Sequence, residues 1–128
     1  MGFSELSNGY TLFSTYSNVN IRTYLINNDL AVINSWQHDS KAASMPYLYP
    51  DSTLLYPSVS EYTSTMELAN PGGRIIKYNW QGEIIWDYLF ADSLYIQHHD
   101  IEPLPNGNIL VLAYEIKSMD EGLEFGML

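Results

Sequence analysis

The chain of 128 residues contains no cysteine, and this absence excludes disulfides, thiolate metal sites and cysteine nucleophiles. Basic residues are scarce, with five Lys and Arg against fifteen Asp and Glu and a formal net charge of −10. The five cations are spread along the sequence as Arg22, Lys41, Arg74, Lys77 and Lys117. Because nucleic acids and anionic membranes are bound by clustered cations, the sequence argues against both as partners.

Long apolar runs are missing as well, since no stretch approaches the roughly 20 apolar residues that span a bilayer. The first residues, Met1 to Phe13, lack the basic flank and the apolar core of a signal peptide. Leu6 stands where an N-myristoylation signal requires Ser or Thr. We therefore expect no membrane partner and no targeting signal within these residues.

Most of the sequence consists of short apolar runs separated by turn residues, and apolar residues at helical spacing are almost absent. The composition is 46% hydrophobic and 14% aromatic, with eleven Tyr, which is typical of folded β-structure. Asn, Asp, Gly and Pro in the short connections indicate antiparallel hairpins. One short helix is predicted over Lys117–Phe125, with Ser118 as its N-cap. The predicted strands are Tyr10–Ser14, Ile21–Ile26, Ala31–Trp36, Tyr47–Tyr49, Thr53–Pro57, Arg74–Asn79, Glu83–Leu89, His99–Leu104 and Asn108–Glu115.

An internal repeat groups these strands. An offset of 52 residues superimposes Asp29–Trp36 on Gln81–Tyr88, and an offset of 55 superimposes Pro50–Leu55 on Pro105–Leu110. A period near 50 residues with about four strands per unit is typical of a β-propeller blade, and a β-sandwich is the alternative. We therefore expect an all-β fold of antiparallel four-stranded blades, with about two blades in one partial propeller domain over residues 1–128. The two units lie at about 10–60 and 72–116, and a helical tail lies at about 117–125.

Two blades cannot close a propeller, because closure takes about four to eight of them. The outer faces of such a pair would leave apolar surface and strand edges uncovered. The sequence therefore predicts either a part of a longer protein or a chain that self-associates through its exposed blade edges.

The segment Gln97–Leu112, preceded by Gly72–Tyr88, resembles the arylsulfotransferase (aryl-sulfate sulfotransferase) family. Leu25–Trp36 followed by Tyr47–Val59 is similar to the preceding blade of that family, and Ala113–Gly126 to a short helical insertion. The most specific element is His98-His99-Asp100 followed, after four residues, by Pro105-Asn106-Gly107-Asn108 and an apolar run. The likeness extends from about Tyr10 to Gly126.

This resemblance implies a six-bladed propeller without a cofactor, periplasmic or extracellular in bacteria, that moves a sulfuryl group from a phenolic sulfate ester to a phenol. In the family a histidine in the central channel accepts the sulfuryl group, and further histidines and an arginine hold the sulfate oxygens. A neutral imidazole is a competent nucleophile, and cations stabilise the charge on the group in transfer. The later blades, with the other histidines and the arginine, have no counterpart here, so the chain alone is expected to be inactive.

His99, His98 and Asp100 are the candidate catalytic residues, and His99 is the better candidate for the channel. Ser44 occupies the position of His99 in the first unit. Alternation along a strand places His98 and Asp100 on one face and His99 on the other, so that at most two of them converge unless the strand bulges.

Three other interpretations accompany this prediction. Asp100 and the histidines could form a polar loop in a non-catalytic binding or scaffold module. His98, Asp100 and Glu102 offer nitrogen and oxygen ligands to a metal, but their spacing is not diagnostic, and no metal site is predicted. His38 and Asp39 follow Trp36 in a loop and are expected to be a solvated polar pair.

Overall fold

A computed structural model of the chain describes residues 8–15, 19–61, 68 and 71–127. These residues form three antiparallel sheets and one short helix. The first sheet contains β1 (Tyr10–Ser14), β2 (Arg22–Asn27) and β3 (Val32–Gln37). The central sheet contains β4 (Tyr47–Leu48), β5 (Leu54–Val59), β6 (Gly73–Tyr78) and β7 (Ile84–Leu89). The third sheet contains β8 (Tyr95–Pro103) and β9 (Ile109–Glu115), and the helix α1 (Met119–Glu124) follows it.

The predicted all-β, antiparallel architecture is confirmed, and the predicted strands are present within one or two residues except for β8. That strand begins at Tyr95 rather than His99. The helix begins after Ser118, as predicted, because a capping box forms there. The Ser118 hydroxyl accepts a hydrogen bond from the Glu121 amide, and the Glu121 carboxylate accepts one from the Ser118 amide at 2.8 Å.

The sheets group the hairpins differently from the two predicted units. β5 pairs with β6 over six residues, from Leu54↔Tyr78 to Val59↔Gly73. The four-stranded central sheet therefore joins the second hairpin of the first unit to the first hairpin of the second unit. A sequence offset shows which residues are equivalent, but it does not show which hairpins are hydrogen-bonded to each other. The boundary between two repeat units can be drawn at any strand. The described residues thus form sheets of three, four and two strands instead of two four-stranded sheets, and a closed propeller remains a prediction.

The 52-residue offset is visible in the backbone of two turns. In the β2–β3 turn the carbonyl of Asn27 accepts from the amide of Leu30 at 3.0 Å, and in the β6–β7 turn Asn79 accepts from Gly82 at 3.1 Å. The donor residue has a left-handed backbone in both turns, with φ of 62° at Leu30 and 86° at Gly82. Both hairpins also carry a register shift between the second and the first residue before the turn asparagine. The two hairpins therefore share one local geometry, although only one of them has glycine at the left-handed position.

Two apolar cores hold the sheets together. The first sheet packs on one face of the central sheet, and the third sheet packs on the other face. Neighbouring residues of β5, such as Leu54 and Leu55, point to opposite faces, and both are buried. The first core consists of Leu25, Trp36, Leu54, Tyr56, Ile76 and Tyr78, and the second of Leu55, Ile75 and Ile101 with Tyr47, Tyr49, Ile109 and Val111 around them.

The two turns carry different residues at the left-handed position, Leu30 and Gly82, and this difference leads to a prediction about stability. Leu30→Gly should raise the free energy of unfolding by about 0.5–1 kcal/mol, because leucine is strained in the left-handed region and this side chain is 76% exposed. The mirror change, Gly82→Ala, should lower it by about 1 kcal/mol, since a Cβ at residue 82 meets no atom within 4 Å and only the backbone strain remains. Urea denaturation measures both changes. Equal stability of the parent chain and Gly82→Ala would contradict the assignment of strain to this position.

Candidate functional site

A bulge in β8 places the predicted site residues. Pairing between β8 and β9 is interrupted between Gln97 and Ile101, and His98, His99 and Asp100 occupy the interruption. His99 has φ of 55°, which is uncommon for a residue other than glycine. Strict alternation therefore fails at this point, and the two histidine rings converge instead of pointing to opposite faces. We call His98, His99 and Asp100 the 98–100 bulge.

Gln97 fixes the backbone of the bulge from inside the protein. This side chain is fully buried; its Oε1 accepts from the Gly73 amide at 3.0 Å, and its Nε2 donates to the His99 carbonyl at 3.1 Å. The Gln97 carbonyl also accepts from the Gly72 amide at 2.9 Å. A Cβ on Gly72 would lie 2.6 Å from the Gln97 side chain, so only glycine permits this approach. No local pattern in the sequence indicated this contact, because Gln97 lies 24 residues beyond Gly73.

The two histidine rings of the bulge contact each other directly. Nδ1 of His99 lies 2.6 Å from Nε2 of His98, and the ring planes are nearly perpendicular, with centroids 4.1 Å apart. One of these nitrogens must carry the proton and the other must accept it. The His98 ring also lies 4.3 Å from the ring of Tyr114 on β9. His98 thus links the bulge to the neighbouring strand, while His99 projects from the bulge.

Asp100 is held by hydroxyl groups from β4 and the segment before it. Its Oδ1 accepts from the Ser44 hydroxyl and from the amide of Ile101 at 2.9 Å. The Tyr47 hydroxyl lies 3.4 Å from the same oxygen and donates to the Ile101 carbonyl at 2.7 Å. Burial raises the pKa of Tyr47, and the charges of Asp100 and Glu102 raise it further. Asp100 therefore joins the central and third sheets.

His99 and Asp100 line a surface cavity of about 570 Å³ beside β1. Ser44, the repeat equivalent of His99, lines it as well, so equivalent positions of the two units face one space. Apolar side chains dominate the wall, and Lys and Arg are missing from the described residues that line it. We call it the histidine cavity, and its lining comprises Leu12, Phe13, Ser14, Ala42, Ala43, Ser44, Met45, Pro46, His99 and Asp100.

The expectation for His38 and Asp39 is wrong for His38. His38 is only 5% exposed, stacked on the Tyr56 ring with centroids 3.6 Å apart and set edge-on to Tyr78 at 5.1 Å. Asp39 does face solvent, but it pairs with Arg74 at 2.9 Å. Burial lowers the pKa of His38 to about 4, although the charge of Asp39 opposes the shift, so the ring is neutral near pH 7. The aromatic residues that bury His38 come from β5 and β6, and no signal in the local sequence indicated their contact.

A chain of hydrogen bonds connects His38 to the histidine cavity. Nε2 of His38 lies 2.8 Å from the Thr23 hydroxyl, which lies 2.7 Å from the hydroxyl of Ser14 in the cavity wall. Ser14 thus adds a second hydroxyl to the cavity besides Ser44. The sequence did not identify Ser14 or Thr23 as site residues. They approach His38 only because β1 pairs with β2 and β2 pairs with the end of β3.

The described residues contain no cluster of three or more His, Asp or Glu side chains that could hold a metal ion. The separation of 2.6 Å between the His98 and His99 nitrogens suits a hydrogen bond and leaves no room for an ion between them. Within the same residues, no helix has the length and the hydropathy required to cross a membrane.

The contact between Gly72 and Gln97 can be tested by substitution. Gly72→Ala should lower the free energy of unfolding by about 1–3 kcal/mol, because the new methyl group would overlap the buried Gln97 amide. Gly9→Ala is the matched control, since nothing lies within 4 Å of a Cβ there, and its effect should stay within about 0.5 kcal/mol. Thermal or urea unfolding gives both values. A neutral Gly72→Ala would show that Gln97 can move away without cost.

The burial of His38 predicts a specific pH dependence. The pKa of His38 is about 4 in the folded protein against 6.5 ordinarily, so the unfolded chain binds the proton more readily. The contribution of neutral His38 is complete above pH 6.5 and is lost as the pH falls towards 4, by about 3 kcal/mol in total. Urea denaturation between pH 7 and pH 4 should show a steeper loss of stability in the parent chain than in His38→Gln. Parallel pH profiles would contradict a buried neutral ring.

Comparison of the chain with family models, with curated proteins and with solved structures found no match. Its function is therefore inferred from the 98–100 bulge and the histidine cavity.

Proposed function

We propose that this chain provides the histidine-bearing part of a site that transfers sulfuryl groups between phenols. One observation carries the proposal: His99 lines a largely apolar cavity while its Nδ1 is held by His98. The resemblance of Gln97–Leu112 to the arylsulfotransferase family supports the same chemistry. No cofactor or metal is needed for it.

The contact with His98 suits a nucleophilic role for His99. When Nδ1 of His99 donates its proton to Nε2 of His98, the lone pair of the neutral His99 ring lies on its own Nε2. In the proposed reaction this nitrogen attacks sulfur, and the bond between sulfur and the aryl oxygen breaks, with its electron pair leaving on the phenolate. The oxygen of an acceptor phenol then attacks sulfur, the N–S bond breaks, and its electron pair returns to the ring. The acceptor's proton ends on the phenolate that was released, so that a sulfate ester and a phenol are regenerated.

The apolar wall of the cavity fits the aryl ring of such a substrate. Leu12, Phe13 and Met45 offer carbon surface close to His99, and the hydroxyl groups of Ser14 and Ser44 offer hydrogen bonds to sulfate oxygens. The charge balance is unfavourable, because Asp100 is anionic and the described lining contains no cation. Transfer requires positive charge near the sulfuryl group. We therefore propose that the chain alone binds the substrate and that a cation from another part of the complete site is needed for turnover.

A second candidate is a non-catalytic binding or scaffold module. The hydrogen bonds of Asp100 favour this second candidate. Its carboxylate accepts from Ser44 and from the Ile101 amide and thereby joins two sheets. In that case the cavity would accept a neutral aromatic group, and the sulfate of an aryl sulfate would add nothing to binding.

Binding of 4-nitrophenyl sulfate and of 4-nitrophenol separates the two candidates. Sulfuryl transfer predicts tighter binding of the sulfate ester, with NMR shifts at the His98 and His99 rings. It also predicts about a tenfold loss of affinity for the ester in His99→Asn, because the imidazole ring that contacts the bound ester is removed. Asn tolerates the left-handed backbone, so the bulge should persist in this variant. Glu102→Gln is the control, since Glu102 is exposed on β8 and outside the cavity lining.

Two results would contradict sulfuryl transfer. The first is equal affinity for ester and phenol that His99→Asn does not change, which favours the binding module. The second is a set of NMR shifts that is confined to residues away from the bulge. Intact-protein mass spectrometry after incubation with the ester tests the covalent step directly. With guanidinium ion added to supply the missing cation, a sulfuryl adduct should appear in the parent chain and should be missing in His99→Asn.

A further inference from the structure

The hydroxyl group of Ser14 in the histidine cavity ends a chain of hydrogen bonds that begins at buried His38. The Thr23 hydroxyl stands between them, 2.8 Å from Nε2 of His38 and 2.7 Å from the Ser14 oxygen. Thr23 is fully buried, and these two groups are the partners of its hydroxyl in the described residues. Because a hydroxyl has one proton to donate, both bonds must run in the same direction along the chain.

The second ring nitrogen of His38 sets that direction. Nδ1 is buried, and it has no hydrogen-bond partner in the part of the chain that the structure describes. The ring is stacked on Tyr56, and burial lowers the pKa of His38 to about 4, so the neutral ring carries a single proton near pH 7. Proteins leave a buried N–H group without an acceptor more rarely than they leave an acceptor without a donor. The proton therefore belongs on Nε2, where Thr23 accepts it.

With the proton on Nε2 of His38, every group of the chain donates towards the cavity. His38 donates to Thr23, and Thr23 donates to Ser14. The Ser14 oxygen is thus engaged as an acceptor inside the protein, and its own proton is directed away from Thr23, towards the cavity that Ser14 lines. Successive hydrogen bonds polarise one another, so the terminal O–H group becomes a stronger donor than an isolated serine.

The second hydroxyl group of the cavity, that of Ser44, is in a different state. Ser44 donates its proton to the carboxylate of Asp100, which is a charged acceptor. It can donate to a ligand only by giving up this bond, and bonds to charged groups are stronger than neutral ones. Ser14 is therefore the better hydrogen-bond donor of the two hydroxyls that line the cavity.

We propose that Ser14 determines the specificity of the histidine cavity by donating its proton to an oxygen atom of the bound aryl ligand. Thr23 and His38 are positioning residues, which act only by fixing the direction of that proton. An oxygen of a sulfate ester or of a phenolate meets the requirement, whereas a ligand without an acceptor at this place does not. The inference rests on the proposed function, since it requires an aryl ligand in the cavity, and it adds the residue that selects the ligand's polar group.

The direction of the chain can be measured in the absence of a ligand. Nitrogen NMR of the histidine rings distinguishes a protonated ring nitrogen from a bare one, and the signals missing from His38→Gln identify those of His38. At pH 7 the parent chain should show a protonated Nε2 and a bare Nδ1 in His38. A proton on Nδ1 overturns the proposal, because Ser14 would then donate to Thr23 and offer only lone pairs to the cavity.

Binding measurements test the role of Ser14 towards a ligand. Ser14→Ala should weaken the binding of 4-nitrophenyl sulfate about tenfold, because a hydrogen bond to a charged group is lost. The same variant should bind 4-nitrotoluene as the parent does, since a methyl group replaces the acceptor oxygen in this probe. Thr23→Val should weaken the binding of the ester by a smaller factor. Thr11→Val is the matched control, because Thr11 is exposed on β1 and outside the cavity lining, and its affinities should be unchanged.

The results separate this inference from the proposed function. A loss of ester affinity in His99→Asn but not in Ser14→Ala overturns the role of Ser14 and leaves sulfuryl transfer standing, and the reverse result supports Ser14 and contradicts the role of His99. Equal losses for the ester and for 4-nitrotoluene in Ser14→Ala also overturn the inference, since a change in the shape of the cavity would explain both. An ester that does not bind to the parent chain overturns both proposals. Circular dichroism checks that each variant is folded.

Discussion

Burial of the central sheet on both faces is the constraint on which the other features depend. Adjacent residues of β5 and β6, such as Leu54 and Leu55 or Ile75 and Ile76, are no more than 1% exposed although they point in opposite directions. Each such side chain contributes about 1.5–3 kcal/mol when it is fully buried. Neither flanking sheet could be removed without exposing half of this set. The first and third sheets therefore have fixed positions, and so have the loops that connect them.

The position of the candidate site follows from that stacking. β6 begins at Gly73, and the close approach of Gly72 and Gly73 to Gln97 ties the start of the central sheet to β8. Gln97 in turn holds the carbonyl of His99 in a left-handed backbone that histidine would not adopt by itself. Asp100 makes a second connection, through Ser44, to the segment before β4. The 98–100 bulge is thus a consequence of contacts between sheets rather than of its own sequence.

The three histidines show how far surroundings determine chemical behaviour. His38 is enclosed by Tyr56 and Tyr78 and remains neutral, because burial opposes its protonation. His98 and His99 share a hydrogen bond at the edge of a cavity whose described lining contains no cation. An overall charge of −10 adds to the cost of bringing a sulfate there. A cation from beyond the described lining of the cavity is therefore the main requirement of the proposed reaction.

The sequence by itself determined the local structure. Turn residues and apolar alternation predicted the antiparallel strands, the capping residue of α1 and the equivalence of Leu30 with Gly82, because hairpins and caps depend on interactions within a few residues. The tertiary structure alone decided which hairpins share a sheet, the burial of His38 and the bulge that brings His98 and His99 together. Each of these depends on residues far apart in the chain: β5 pairs with β6 across an intervening segment, Tyr78 contacts a histidine forty residues earlier, and Gly73 meets Gln97. Such contacts leave no pattern in the local sequence. Many sequences would form the same hairpins, and only the packing of the sheets decides which residues of different hairpins meet.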